Sequence, residues 1–179
     1  MFAFIVDEDI ELRLLDRLNA IELFYVVDSH RGHLRQWLPW IDHTKTSEDT
    51  AAFIESTMKQ FAAGNGFQTG IWYRGELAGV IGYHGIDWTN KSVSMGYWLA
   101  ENYMGKGIMT KACKALVDYA FIKLNLHRVE IRCAEHNYKS RAIPERLGFS
   151  NEGFIREAEW LYDHYVSHYV YGMLSKEWR

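Results

Sequence analysis

A chain of 179 residues with 48% hydrophobic, 24% charged and 15% aromatic residues has the composition of one folded domain, which excludes an intrinsically disordered chain. Its formal net charge of -3 gives no general attraction to nucleic acid or to an anionic membrane, and it leaves a cationic substrate welcome. Cys113 and Cys133 fit no C-x-x-C or zinc spacing, the acidic Asp7, Glu8 and Asp9 stand where a signal peptide needs basic residues, and no apolar run is long enough to cross a membrane, so a reduced, cytoplasmic protein is expected.

Ile10 to Leu14 alternates apolar and polar residues, the period of a strand with one buried face. From Leu18 onward, Ile21, Leu23, Phe24 and Val27 fall at helical spacing. Leu34, Trp37 and Leu38 predict a second short helix that stops before Pro39. Ser47 is the expected cap of a third helix, with Glu48 and Asp49 in its first turn and Gly64 and Gly66 at its end. Residues 67–73 and 77–83 read as a hairpin around Arg74, Gly75 and Glu76, and residues 92–99 as a further strand.

Beyond a glycine turn, Ile108, Ala112, Ala115, Leu116, Tyr119 and Ile122 share one stripe of a helix running from about residue 106 to 124, after which residues 128–134 return to strand. A strand, helix, strand succession of this length needs a crossover, so strands 92–99 and 128–134 are expected to be parallel. A helix near residues 138–147 and two last strands, near Phe154 and over residues 166–174, complete an α/β fold. It is expected as a single domain over residues 1–179, with its core at about 10–174.

The segment from Tyr97 to Thr110, Tyr-Trp-Leu-Ala-Glu-Asn-Tyr-Met-Gly-Lys-Gly-Ile-Met-Thr, carries the clearest chemistry. Gly105 and Gly107 stand between a strand and a helix, where missing side chains let a ligand approach the backbone and where free N–H groups meet the positive end of the helix dipole. That is an anion site. It lacks the Gly-Lys-Ser/Thr of a nucleotide-triphosphate loop, and Thr110 stands where a dinucleotide fingerprint has its third glycine.

The same segment resembles the Q/R-x-x-G-x-G/A pyrophosphate motif of the GNAT acetyltransferase superfamily, with Asn102 in the Gln/Arg position. Asn137 to Phe149 resembles that superfamily's second signature, an Asn, a small residue three later, and Gly-Phe closing the helix. Pro144 occupies the place where many members carry a tyrosine that protonates the departing thiolate. Residues 31–40, ending Leu-Arg-Gln-Trp-Leu-Pro-Trp, together with Gly96-Tyr-Trp-Leu99 and Gly105 to Thr110, are similar to the RimJ/RimL group of ribosomal-protein N-terminal acetyltransferases, from about Leu12 to Tyr171.

The resemblance implies a GNAT-like sheet, mixed and mostly antiparallel, with one parallel pair that splays to hold acetyl-CoA and helices on both faces. It implies acetyl-CoA as cosubstrate, held by Trp98, Leu99, Met104, Gly105, Lys106, Gly107, Ile108, Met109, Thr110 and Asn137. Ser140 is then the acid and Glu159 the base, with Trp37 and Trp40 lining an acceptor cleft. Two-residue periodicity puts Glu157 and Glu159 on one strand face, so only the resemblance chooses Glu159. Asn137 and Ser140 also have ordinary roles open to them at the start of a helix.

An α-amino group, with reference pKa ~7.7–8.0, needs a weaker base than lysine at ~10.4, and a backbone N–H near Leu99 is the natural donor to the thioester oxygen. The expected acceptor is the N-terminal amine of a protein, a ribosomal one. A polyamine or aminoglycoside acceptor is the alternative among enzymes. A non-catalytic CoA-binding regulator is the alternative of another class, kept open by Asn102 and Pro144. No metal is expected, since His164 and His168 lie four apart in a strand, and no nucleic acid or membrane partner is expected. Exposed-looking aromatics make a homodimer reasonable.

Overall fold

The crossover expected from the sequence is the organising feature of the chain. In the computed structural model, which describes residues 3–179, α4 (Ile108–Asp118) carries the chain from β5 (Ser92–Leu99) over one sheet face to β6 (Arg128–Ala134), and β5 and β6 pair in parallel. Met1 and Phe2, the start of the N-terminal stretch judged unlike a signal peptide, lie outside the described residues. The other strands are β1 (Ala3–Ile5), β2 (Ile10–Leu14), β3 (Gln68–Tyr73), β4 (Glu76–Asp87), β7 (Ser150–Leu161) and β8 (His164–Leu174). They form one sheet in the order β1-β2-β3-β4-β5-β6-β8-β7, and every neighbouring pair except β5 and β6 is antiparallel.

Helices cover both faces. α4 and α5 (Tyr138–Arg146) close the larger core, in which Ile108, Ala112, Cys113 and Leu116 meet Val93, Met95, Val129 and Ile131. On the opposite face, α1 (Ala20–Ser29) and α3 (Ser47–Ala62) cover Trp72, Leu77 and Val80 with Leu23, Ala51 and Ile54. A third cluster, Val27, Leu34 and Ile41, ties α1 to α2 (Arg31–Arg35) and to the segment that follows. No helix among the described residues is long and apolar enough to cross a membrane.

Several local expectations are corrected. The cap of α3 is Thr46, not Ser47: Thr46 has the extended backbone a cap requires, it accepts from Asp49 N at 3.4 Å, and the Asp49 carboxylate accepts from Thr46 N at 3.0 Å. α2 ends at Arg35, earlier than expected, and in the turn that follows Trp37 N and Leu38 N share Leu34 O at 3.2 and 3.0 Å. The hairpin loop is the two-residue Arg74-Gly75 turn, both at positive φ (51° and 85°), which suits the twist of the strands it joins.

Two residues assigned to apolar stripes are exposed, Ile21 at 74% and Ile122 at 70%. α1 carries apolar residues on both sides, and its buried stripe is Ala20, Leu23 and Val27. After Asp118 the helix widens into a π turn over Tyr119–Lys123, whose extra residue rotates Ile122 off the stripe. β1 has no signal in the sequence, since three residues are too few to show a period.

Candidate active site

β5 and β6 are paired from Ser92 and Arg128 to Met95 and Ile131, and then part. Beyond that row β5 follows β4, with Leu99 opposite Gly79, while β6 follows β8, with Ala134 opposite His168. Ala100 N–H bonds Ala78 O at 2.8 Å on the β4 side, so the alternation of an antiparallel ladder turns the Leu99 N–H the other way, into the gap. The gap therefore offers a fixed donor where an acyl oxygen would need one.

The loop that follows carries the two glycines of the expected anion site. Gly105 lies at φ 76° and Gly107 at φ 74°, the latter as the N-cap of α4 with no side-chain cap of its own. A Cβ at either position would meet nothing within 4 Å, so the left-handed backbone and a bare outer surface require glycine here, rather than internal crowding. The first N–H to return to the helix is that of Lys111, bonded to Gly107 O at 3.2 Å, which leaves the N–H groups of residues 108–110 at the open end. Ile108 and Met109 are buried (1% and 6% exposed), so they can serve a ligand only through their backbone. Met104 is half-buried, and Lys106 sits over the Tyr73 and Tyr103 rings.

A cation that sequence reasoning missed joins this end: Arg146 of α5 donates to Thr110 Oγ1 at 3.1 Å. It stands inside the second motif, but nothing in the linear pattern says that α5 ends beside the start of α4. Asn102 is exposed on a short 3-10 turn, Glu101–Tyr103, just before the glycines.

Ser140 is held by three contacts. Asn137 caps α5 and accepts from Ser140 N at 3.3 Å, while Ser140 Oγ donates to Cys133 Sγ at 3.5 Å. The third contact follows from Pro144. Lacking an N–H, Pro144 cannot bond the carbonyl four residues back, and the Tyr97 hydroxyl donates to that Ser140 carbonyl at 3.0 Å. Burial beside Cys113 and Cys133 holds the Tyr97 phenol well above its usual pKa, which suits a fixed donor and not a proton source. Burial likewise raises the Cys133 thiol. The proline in the motif was the signal for Tyr97, but only tertiary structure could supply the partner.

The two glutamates of β7 are separated by a bulge. Ile155 pairs with His168, and the next pair is Glu159 with Val166, whereas a regular ladder would bring Glu157 opposite Val166. The two extra residues are absorbed with Glu157 at φ 49°, its N–H given to Ser167 Oγ at 3.0 Å. The expectation that both glutamates share one regular face is thus corrected. Glu157 is exposed in the bulge, while Glu159 is half-buried and lies 3.6 Å from His168 Nε2.

The walls of the cleft are aromatic. Trp40 packs on Trp98 with ring centroids 6.2 Å apart. Tyr162, in the turn between β7 and β8, donates to Leu38 O and accepts from Ile41 N at 3.2 Å, and Arg35 lies 3.7 Å over its ring while paired with Asp42. The segment carrying Trp40 is therefore latched across the cleft. Trp37 is half-buried on the turn after α2; among the described residues, the ring that meets Trp98 is Trp40.

Tyr97 and Tyr169 pack toward the core under α4 and α5, so Trp98 and His168, their neighbours along alternating strands, face the opposite side. Ser140 and Glu159 accordingly approach the gap from opposite faces of the sheet. A nucleophile can enter on one side while a leaving group departs on the other. No group of three or more His, Cys, Asp or Glu among the described residues is arranged to hold a metal ion.

Known proteins share the family and the fold of this chain. Residues 9–150 match the family described as "Acetyltransferase (GNAT) domain". The Bacillus subtilis protein named "Putative ribosomal N-acetyltransferase YdaF" is 38% identical over 180 residues, covering 99% of this chain and 98% of that protein. The Escherichia coli "Ribosomal-protein-serine acetyltransferase" is 31% identical over 160 residues, 89% of each chain. Among solved structures, RimL, a ribosomal L7/L12 alpha-N-protein acetyltransferase in complex with coenzyme A through a disulfide to one of its cysteines, superposes with a TM-score of 0.93. It is 28% identical over 97% of this chain and 98% of that one.

Proposed function

Because the chain belongs to the GNAT acetyltransferase family, it is an N-acetyltransferase that uses acetyl-CoA, and we propose that its acceptor is the N-terminal amine of a ribosomal protein. The observation that most supports this acceptor is that relatives matched along nearly the whole chain carry ribosomal proteins in their names. The residues present suit the cosubstrate, since the bare start of α4, with Arg146 beside it, is a cradle for a pyrophosphate that a side chain at residue 105 or 107 would obstruct.

Acetyl-CoA supplies an activated acyl group, so the protein needs no covalent intermediate. On this reading, Leu99 N–H polarises the carbonyl, Trp40 and Trp98 confine the acceptor chain, a base on the Glu159 side takes the amine proton, and Ser140 Oγ gives a proton to the leaving sulfur. In the free protein Ser140 already donates to a sulfur, that of Cys133. An α-amine, with reference pKa ~8, asks far less of this base than a lysine does.

An acceptor screen tests the proposal: thiol release from acetyl-CoA with peptides beginning in Ser or Ala, with spermidine, and with aminoglycosides. The peptides are expected to turn over fastest. Preference for a small amine would move the acceptor to that class, and binding of acetyl-CoA without turnover on any amine would make the protein a CoA-binding regulator.

A further inference from the structure

Glu159 does not stand alone on the side from which the amine proton must leave, and imidazole is the side chain most often used to accept such a proton. His168 brings an imidazole to this place. His168 pairs with Ala134, the last residue of β6, so it sits at the row where the floor of the cleft ends, on the same face as Trp98. Its side chain is 16% exposed, and its Nε2 is 3.6 Å from Glu159 Oε1. Arg132, the neighbouring charge on that face of β6, is tied to Glu130 at 2.7 Å.

The bulge is what makes the pairing. It places a non-glycine residue, Glu157, in the left-handed region, and its two extra residues substitute Glu159 for Glu157 in the row beside His168.

We propose that His168 is the group that receives the amine proton, with Glu159 as its positioning partner, holding the ring and balancing the imidazolium that forms. The inference rests on the acetyl-transfer reading above and deepens it. As the amine nitrogen bonds to the acyl carbon and the carbon–sulfur bond breaks, the nitrogen's proton passes to the His168 imidazole and the thiolate takes one from Ser140. Both groups then re-equilibrate with water.

The test uses the full chain and the best acceptor of the screen, so a wrong acceptor class changes the substrate and not the comparison. His168→Ala and His168→Gln are expected to lower kcat at least tenfold with the KM for acetyl-CoA within twofold of wild type. Added imidazole should restore turnover to His168→Ala, which leaves room for it, and not to His168→Gln. Glu159→Gln should show a smaller loss that imidazole does not repair. Turnover of either His168 variant within twofold of wild type, or a loss in folded His168→Ala that imidazole leaves unchanged, would overturn the assignment while leaving the acetyl-transfer reading standing. Absence of turnover by the wild type on every amine would overturn both.

Discussion

Replacing Gly107 with alanine separates the two things this residue does. Alanine would have to hold φ 74°, which costs an L-residue about 1–2 kcal/mol. Its Cβ would meet no protein atom within 4 Å, so no packing term adds to that. For a chain of this length each kcal/mol moves Tm by roughly 2–4 °C, and a fall of about 2–8 °C is expected.

Binding should suffer separately, because the new methyl group projects from the outer surface of the turn and the N–H groups behind it must shift. Loss of one hydrogen bond to a charged group, about 1.5–3 kcal/mol, corresponds to acetyl-CoA affinity about tenfold to a hundredfold weaker. Gly64→Ala is the control: it sits at φ 67° in equally open space after α3, so it carries the same backbone cost far from the cleft. Calorimetric titration of both variants with acetyl-CoA, beside thermal melts, decides the matter. Equal Tm losses with weakened binding only at Gly107 fit the account, and unchanged acetyl-CoA affinity in folded Gly107→Ala refutes the cradle.

Four further outcomes follow from the same geometry. Ser140→Ala should lower turnover by ~10²-fold or more with acetyl-CoA binding intact, and a wild-type rate would exclude it as the acid. Glu159→Gln should lower turnover less than His168→Ala does, while Glu157→Gln in the exposed bulge should be silent; equal losses in the two glutamate variants would point to general attraction of a cationic acceptor. Tyr97→Phe leaves the Ser140 carbonyl without its donor, so melting should show a loss of about 1–3 kcal/mol, and none at all would mean that Pro144 needs no compensation. Burial raises the Cys133 and Cys113 thiols, so iodoacetamide labelling followed by mass should be slow at pH 8 and rise with pH above the ordinary thiol range, because only the thiolate reacts; labelling at the rate of free cysteine would contradict the burial.

Some of this was legible in the chain and some was not, for physical reasons. β5 and β6 were readable to the residue because alternation and the crossover rule act over short distances, and the parallel pair then placed the cleft. Asn137 as a cap is equally local. The signals that failed are tertiary. Whether Ile21 faces in or out depends on which side of α1 meets α3, and the π turn that displaces Ile122 has no mark in the periodicity. The bulge that separates Glu157 from Glu159 exists only in the register of β7 against β8, so counting along one strand could not choose between them. Tyr97 with Ser140, Arg146 with Thr110, and His168 with Glu159 are meetings of residues from different elements.

The claim on which everything else depends is that an acetyl group passes through the gap between β5 and β6 to a protein's terminal amine. Incubation of the chain with acetyl-CoA and a peptide that carries both a free N-terminal serine and an internal lysine, followed by fragmentation mass spectrometry, tests it most directly. One acetyl group on the terminal nitrogen, lost when that nitrogen is blocked beforehand, is the predicted result; acetyl on the lysine side chain, or on neither amine while thiol is released to a small polyamine, would contradict it.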